Sequence, residues 1–211
     1  MTAPIARLES LPATASATVG MGFEILDRME RAVAKVRDRL LRATAALNAA
    51  GLPYAVVGGN AVASWVATID EGAIRNTRDV DLLVRRDDLP AVTLALEAAG
   101  FVAGESLGVV MFRDGEDGKP SEAVHLLFAG EKFRPEHLLP APLIQTVEDP
   151  AHYRVITLES LLEMKLMSNR DKDRTHVRDL IGVGLIDASW LPKYPPVLAE
   201  RLKRILDTPD E

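Results

Sequence analysis

The sequence predicts an α/β (α+β) core with a long leading helix and a helical C-terminal tail. Three observations carry this expectation. Apolar residues recur at three- and four-residue steps before residue 50, short β-prone runs alternate with helical ones over 54–128, and helical periodicity dominates after Thr157.

The leading helix is expected over about Phe23–Ala50. Ile25, Leu26, Met29, Val33, Val36, Leu40, Leu41 and Leu47 share one broad face there, and Gly51-Leu52-Pro53 stops the helix. Tyr54–Val57 is short, apolar and β-prone, and Gly58-Gly59 closes it. A short helix is expected over Asn60–Ala67 and a second strand over Asp79–Arg85. Asp87 or Asp88 is placed to cap a helix over Leu89–Ala99, which Gly100 ends. Residues 101–128 read as β-structure around a turn at Asp114–Gly118, and Ala123–Phe128 is the last clear strand. The proline-rich stretch Pro135–Pro150 is expected to loop over the surface. Thr157 then caps a helix to about Asn169, and two more follow over about Lys172–Ile181 and Val197–Leu206. The resulting organisation is a mobile arm at 1–22, a core with its leading helix at 23–150, and a helical region at 151–211.

Composition narrows the chemistry. The chain has 211 residues, 47% of them hydrophobic, which is enough for a substantial core. Its net charge of −6 argues against a general nucleic-acid coat, although a local basic groove is compatible with it. With no cysteine, disulfides, thiolate zinc sites and cysteine nucleophiles are excluded; this fits a cytoplasmic protein. The first twenty residues hold no long apolar run, so neither a signal peptide nor a membrane span is expected there.

Two motifs carry candidate chemistry. Gly58 and Gly59 stand between a buried strand and a helix. They allow a tight turn and a close backbone approach, beside a helix start whose free N–H groups suit phosphate. Taken alone, this is also what an ordinary strand-to-helix turn looks like. The second motif is Arg75-Asn76-Thr77-Arg78-Asp79-Val80-Asp81. Strand alternation turns Asp79 and Asp81 to one face, where their carboxylates repel unless a cation or solvent intervenes. Magnesium suits such a pair, since it takes hard oxygen ligands together with substrate phosphates. The alternative is a solvated strand end.

Together, Gly58, Gly59, Arg75, Thr77, Asp79 and Asp81 resemble the nucleotidyltransferase superfamily of the DNA polymerase β type. With Asn60-Ala61 they look nearest to the bacterial toxin-type and abortive-infection-type (AbiEii-like) branch. The resemblance implies a mixed β-sheet flanked by helices, with Mg2+ or Mn2+ on Asp79 and Asp81. It also implies a nucleoside triphosphate against Gly58, Gly59, Asn60, Arg75 and Thr77, and an acceptor that is RNA or protein. A cognate antitoxin or toxin partner is a further implication. In that superfamily a third carboxylate lies on a later strand. Here Ala123-Val124-His125-Leu126-Leu127 puts His125 in its place, as a third ligand or a base, or as a half-buried histidine with neither task. Glu122 falls on the opposite face of a regular strand.

The branch also carries a helix lysine followed by an Arg-x-Lys-Asp stretch, matched by Lys165 and Arg170-Asp171-Lys172-Asp173. Lys165 is placed to meet a triphosphate or to snorkel, and Asp173 to steer Lys165 or Arg75; Arg170–Asp173 equally reads as a solvated, mixed-charge junction between helices. His137, His152 and His176 show no ligand spacing and read as surface or core residues. Trp190 reads as a packing anchor. Three functions are compatible with these residues: a metal-dependent nucleotidyltransferase, a catalytically degenerate binding module, and an interaction protein that dimerises through the long helix.

Overall fold

The computed structural model of the chain describes residues 23–106, 108–149 and 153–208. The arm expected at 1–22, and His152, lie outside the described residues.

The first amphipathic run forms α1, Phe23–Ala49. Leu40, Ala43 and Leu47 from its second half enter the core, whereas Leu26, Met29 and Val33 from its first half are exposed. The chain turns at Gly51, whose φ of +65° favours glycine, and enters β1, Tyr54–Val57, which is buried throughout. Helix α2 covers Gly58–Ala67, so both glycines of the motif sit in its first turn rather than before it. Strand β2 is Val80–Val84. Asp79 therefore lies in the bend before β2, one residue outside the strand expected to hold it.

A short 3-10 turn, Arg86–Asp88, leads into α3, Leu89–Ala98. Asp88 holds the N-cap position without capping. Its carboxylate instead accepts two bonds from Arg85, at 2.7 and 2.9 Å, because a paired guanidinium donor outcompetes a single amide. β3, Phe101–Ser106, and β4, Val109–Asp114, form a hairpin next to Gly108, a reversal that the sequence reading missed. The expected turn after Asp114 follows, and leads to β5, Val124–Phe128. The proline-rich stretch is not loop throughout. It contains β6, Thr146–Glu148, and β7 follows at Arg154–Ile156. Strands of three residues are too short to show a period.

The tail comprises α4, Leu158–Ser168, α5, Asp171–Gly182, and α6, Pro196–Asp207. Thr157 sits at the N-cap of α4, but its side chain accepts no backbone N–H; its hydroxyl donates to Ser160 Oγ at 3.1 Å instead. Asn169, at φ 48°, makes the reversal between α4 and α5, a conformation that asparagine tolerates better than most side chains.

Among the described residues the strands form one mixed sheet in the order β3-β4-β5-β2-β1-β7-β6. β2 runs antiparallel to β1 and parallel to β5. These central strands hold Val56, Val80, Leu82, Leu83, Val84 and Leu126, all at most 1% exposed, so the sheet centre is rigid and dry. No helix among the described residues is long and apolar enough to cross a membrane.

Candidate functional site: two carboxylates and an imidazole

The parallel pairing of β2 and β5 makes Asp81 and His125 register partners. Asp79, two residues earlier, faces the same way. Asp79, Asp81 and His125 each offer a ligand atom, and these atoms all lie within 4.8 Å of one another. All three side chains are partly buried. Two hard carboxylate oxygens and one imidazole nitrogen fit a divalent cation.

The histidine is oriented for that task. Its Nε2 lies 3.0 Å from the Pro120 carbonyl, which can only accept, so Nε2 carries the hydrogen. That leaves the Nδ1 lone pair facing Asp81 at 3.6 Å and Asp79 at 4.0 Å. Carbonyl bonding to the far nitrogen is how metal-binding histidines are commonly held. The Asp81 carboxylate raises the His125 pKa above its ordinary value, with burial working against it. A positive charge is therefore favoured between these groups, as a proton or a metal ion.

The neighbouring residues fix the aspartates. Thr77 Oγ1 donates to Asp79 Oδ1 at 2.7 Å, and Asn60 Nδ2 donates to the Asp79 carbonyl at 2.8 Å. Burial alone would raise the Asp79 pKa, but the Thr77 hydroxyl leads the opposing interactions that hold it below the ordinary value. Gly58 and Gly59 make the room. A Cβ on Gly58 would lie 2.0 Å from Asp81 Oδ2, and one on Gly59 would lie 2.9 Å from Thr77. The start of α2 has no side-chain cap, so its first N–H groups remain available for an anion.

Across the same cavity, of about 630 Å3, stand Lys165 from α4 with Lys172, Asp173 and His176 from α5. Lys165 is 6% exposed and its Nζ donates to Asp173 Oδ1 at 3.3 Å. Desolvation lowers the Lys165 pKa, against the pull of Asp173. Asp173 resists its own burial through Arg170 and Lys165, and its pKa falls to about 2. It steers Lys165 and Arg170, not Arg75, whose Nε donates to Asp179 at 2.8 and 2.9 Å. Arg75 lines a second cavity, of about 530 Å3, behind the segment that carries Asn76 and Thr77. Of the residues singled out in sequence, Gly58, Gly59, Thr77, Asp79, Asp81, His125 and Lys165 line the first cavity, whereas Asn60 and Arg75 line the second.

His137 and His176, read in sequence as surface or core residues, both line the first cavity. The position of His176, three residues after Asp173 on one helix face, was the available signal. Nothing in the spacing pointed to His137. Glu122, set in a 3-10 turn and within 4.0 Å of Lys119, takes no part in lining the cavity.

No family model matches this chain, and no curated protein does. Its structure is similar to that of an antigenic nucleotidyltransferase-like protein from Paracoccidioides brasiliensis. That likeness has a TM-score of 0.52 at 18% identity, over 84% of this chain and 89% of the other. The antibiotic-resistance factor ANT(2'')-Ia is also similar, with a TM-score of 0.45 at 15% identity over 82% of both chains. Its complex with adenylyl-2''-tobramycin gives 0.49 at 14% identity, over 77% of this chain and 94% of the other. The first likeness defines the class of architecture: this chain has the nucleotidyltransferase fold.

Proposed function

We propose that the chain is a metal-dependent nucleotidyltransferase, which moves a nucleotidyl group from a nucleoside triphosphate to a hydroxyl of an RNA or protein acceptor. The observation that carries this reading is the Asp79, Asp81 and His125 cluster, set in one cavity opposite Lys165 and Lys172. Asp79 and Asp81 hold Mg2+ or Mn2+, with His125 Nδ1 as the third donor; the imidazole favours Mn2+ and the carboxylates suit both. The bound ion supplies charge neutralisation and alignment of the phosphates. Gly58 and Gly59 admit the phosphates to the uncapped start of α2. Thr77 and Asn60 hold Asp79 in position, while Lys165 and Lys172 offset phosphate charge. Arg75 takes part only on release from Asp179.

The motif from Gly58 to Asp81, together with Lys165 and Arg170–Asp173, supports a place in the toxin-type, AbiEii-like branch. A bacterial cytoplasmic setting and a cognate antitoxin or toxin partner follow from that placement. Growth arrest on induced expression, relieved by Asp81→Asn, tests it. The histidine at position 125 favours one second reading, a catalytically degenerate module that binds nucleotide without turnover.

The test of the main reading is a titration of the four ribonucleoside triphosphates with and without Mg2+ and Mn2+, followed by pyrophosphate release with pooled RNA and protein acceptors. Metal-dependent binding with release supports transfer. Binding without release under every acceptor supports the second reading, and absence of binding overturns both.

A further inference from the structure

The function proposed above uses only part of this cavity's lining. Leu127, Phe133, His137, Ala141, Met164 and Met167 also line it, together with Arg170 and Ser168. His125 and Leu127 share one face of β5, two residues and about 7 Å apart, so apolar lining adjoins the metal-ligating cluster.

Phe133 and His137 stand on a loop over residues 131–140 that is closed at its neck. Gly130 N donates to Ala141 O at 2.9 Å, and Ala141 N donates to Glu131 O at 2.8 Å. The Glu131 carboxylate is gripped by Arg86 at 2.6 and 2.9 Å, and the Arg86 guanidinium lies 3.4 Å from the Phe128 ring centroid. Compact loops with their ends pinned together are frequent functional elements. Phe133 is 40% exposed although it borders a cavity. Its ring centroid lies 6.2 Å from that of His137, with the planes tilted by 35°. His137 Nδ1 is buried without a hydrogen-bond partner. Burial also lowers the His137 pKa, which keeps the imidazole neutral near pH 7. Met164 and Met167 add polarisable thioethers to the same wall.

We propose that the Phe133 and His137 rings form the base subsite of this cavity and stack against the heteroaromatic base of the nucleoside triphosphate. This rests on the nucleotidyltransferase reading. With the triphosphate held between the Asp79, Asp81 and His125 cluster and the lysines, the adjoining Phe133 and His137 rings are the neighbouring pair of aromatic surfaces that the same lining offers a base. Stacking on such a wall tolerates any base, because every base has a π-face.

The test is calorimetric titration, in Mn2+, of ATP, GTP, CTP, UTP and inorganic tripolyphosphate. The proteins are the parent, Phe133→Ala, Phe133→Trp, Phe133→Ala/His137→Ala, and Leu138→Ala as a control on the same loop. Leu138 is 49% exposed and is not a lining residue of the cavity. The parent binds at least one nucleotide more tightly than tripolyphosphate. Phe133→Ala weakens that nucleotide roughly tenfold, the double variant more so, and neither changes tripolyphosphate. Phe133→Trp and Leu138→Ala stay close to the parent. If the nucleotide affinity is unchanged in the double variant, or falls in parallel with tripolyphosphate, the subsite is overturned while the nucleotidyltransferase reading stands. If the parent binds neither ligand, both are overturned.

Discussion

The Asp81 carboxylate lies directly over Gly58, so that a Cβ added there would fall 2.0 Å from Oδ2. β1 pairs Val57 with Asp81, and Gly58 follows at once as the first residue of α2. The glycine and the aspartate are thus one device: the turn that opens α2 is shaped by the side chain it must pass beneath.

Gly58→Ala is therefore expected to remove cation and nucleotide binding together. Gly58 has φ +69°, where an alanine is strained by about 1–2 kcal/mol, and the contact with Asp81 adds to that. The folded protein must displace Asp81 to relieve it. Thermal melting and a Mn2+ titration check the variant: a lower midpoint with loss of Mn2+ binding is expected, and intact Mn2+ affinity contradicts the device.

Asp173→Asn is expected to cost stability rather than only activity. Asp173 is 1% exposed and meets both Lys165 Nζ and the Arg170 side chain. Removing one partner of a buried pair costs on the order of 3–5 kcal/mol, because the other charge is left behind. Lys165→Met in the same background recovers part of the loss. Urea denaturation of the single and double variants measures both, and equal stability of Asp173→Asn and the parent refutes the assignment.

The acid limb of stability is expected to follow His176. Burial lowers its folded pKa from the ordinary 6.5 to about 4. Above 6.5 both folded and unfolded chains hold the neutral ring and pH has no effect through this group. Between 6.5 and about 4 the unfolded chain binds the proton more readily, so stability falls as the pH falls. Below about 4 this contribution saturates, and Asp173, with its folded pKa of about 2, takes over as the acid destabilises the ion pair further. Denaturation midpoints of the parent and His176→Gln, measured from pH 7 to 4, separate the effect. The variant loses less stability over that window; parallel curves contradict the assignment.

What could be read in the sequence was local. Gly58, Gly59, Thr77, Asp79 and Asp81 fall in two short runs, and the two-residue spacing suggests a shared face for the carboxylates although Asp79 lies just outside β2. His125 was identifiable only through the resemblance, which expects a third carboxylate on the clear apolar strand that became β5. The misses are long-range. The bond from Asn60 to the Asp79 carbonyl spans 19 residues and that from Arg75 to Asp179 spans 104, so no window shows that one braces an aspartate and the other is tied away from it. Phe133 and His137 flank Pro135 in a segment without periodicity, and only the structure shows that both line the cavity. The short strands β7 and β6 gain their pairing from β1 and from each other, not from their own three residues.

The last prediction concerns His125 itself. His125→Ala should keep nucleotide binding and lose turnover, because Asp79 and Asp81 still hold a cation that draws further ligands from water and the substrate phosphates. What it loses is the third donor that fixes the geometry, and misplacement by about 1 Å costs on the order of a hundredfold in rate. His125→Asp should favour Mg2+ over Mn2+, since an oxygen replaces the nitrogen facing the two carboxylates. A third carboxylate so close also increases repulsion without metal, so the metal-free variant should melt lower than the parent and regain that loss on adding Mg2+. Melting with and without each cation, and pyrophosphate release from radiolabelled triphosphates, report the two effects separately. A His125→Asp protein whose melting ignores Mg2+ places the cation away from position 125. One that responds to Mg2+ and gains release identifies that position as the third metal ligand and the chain as a transferase.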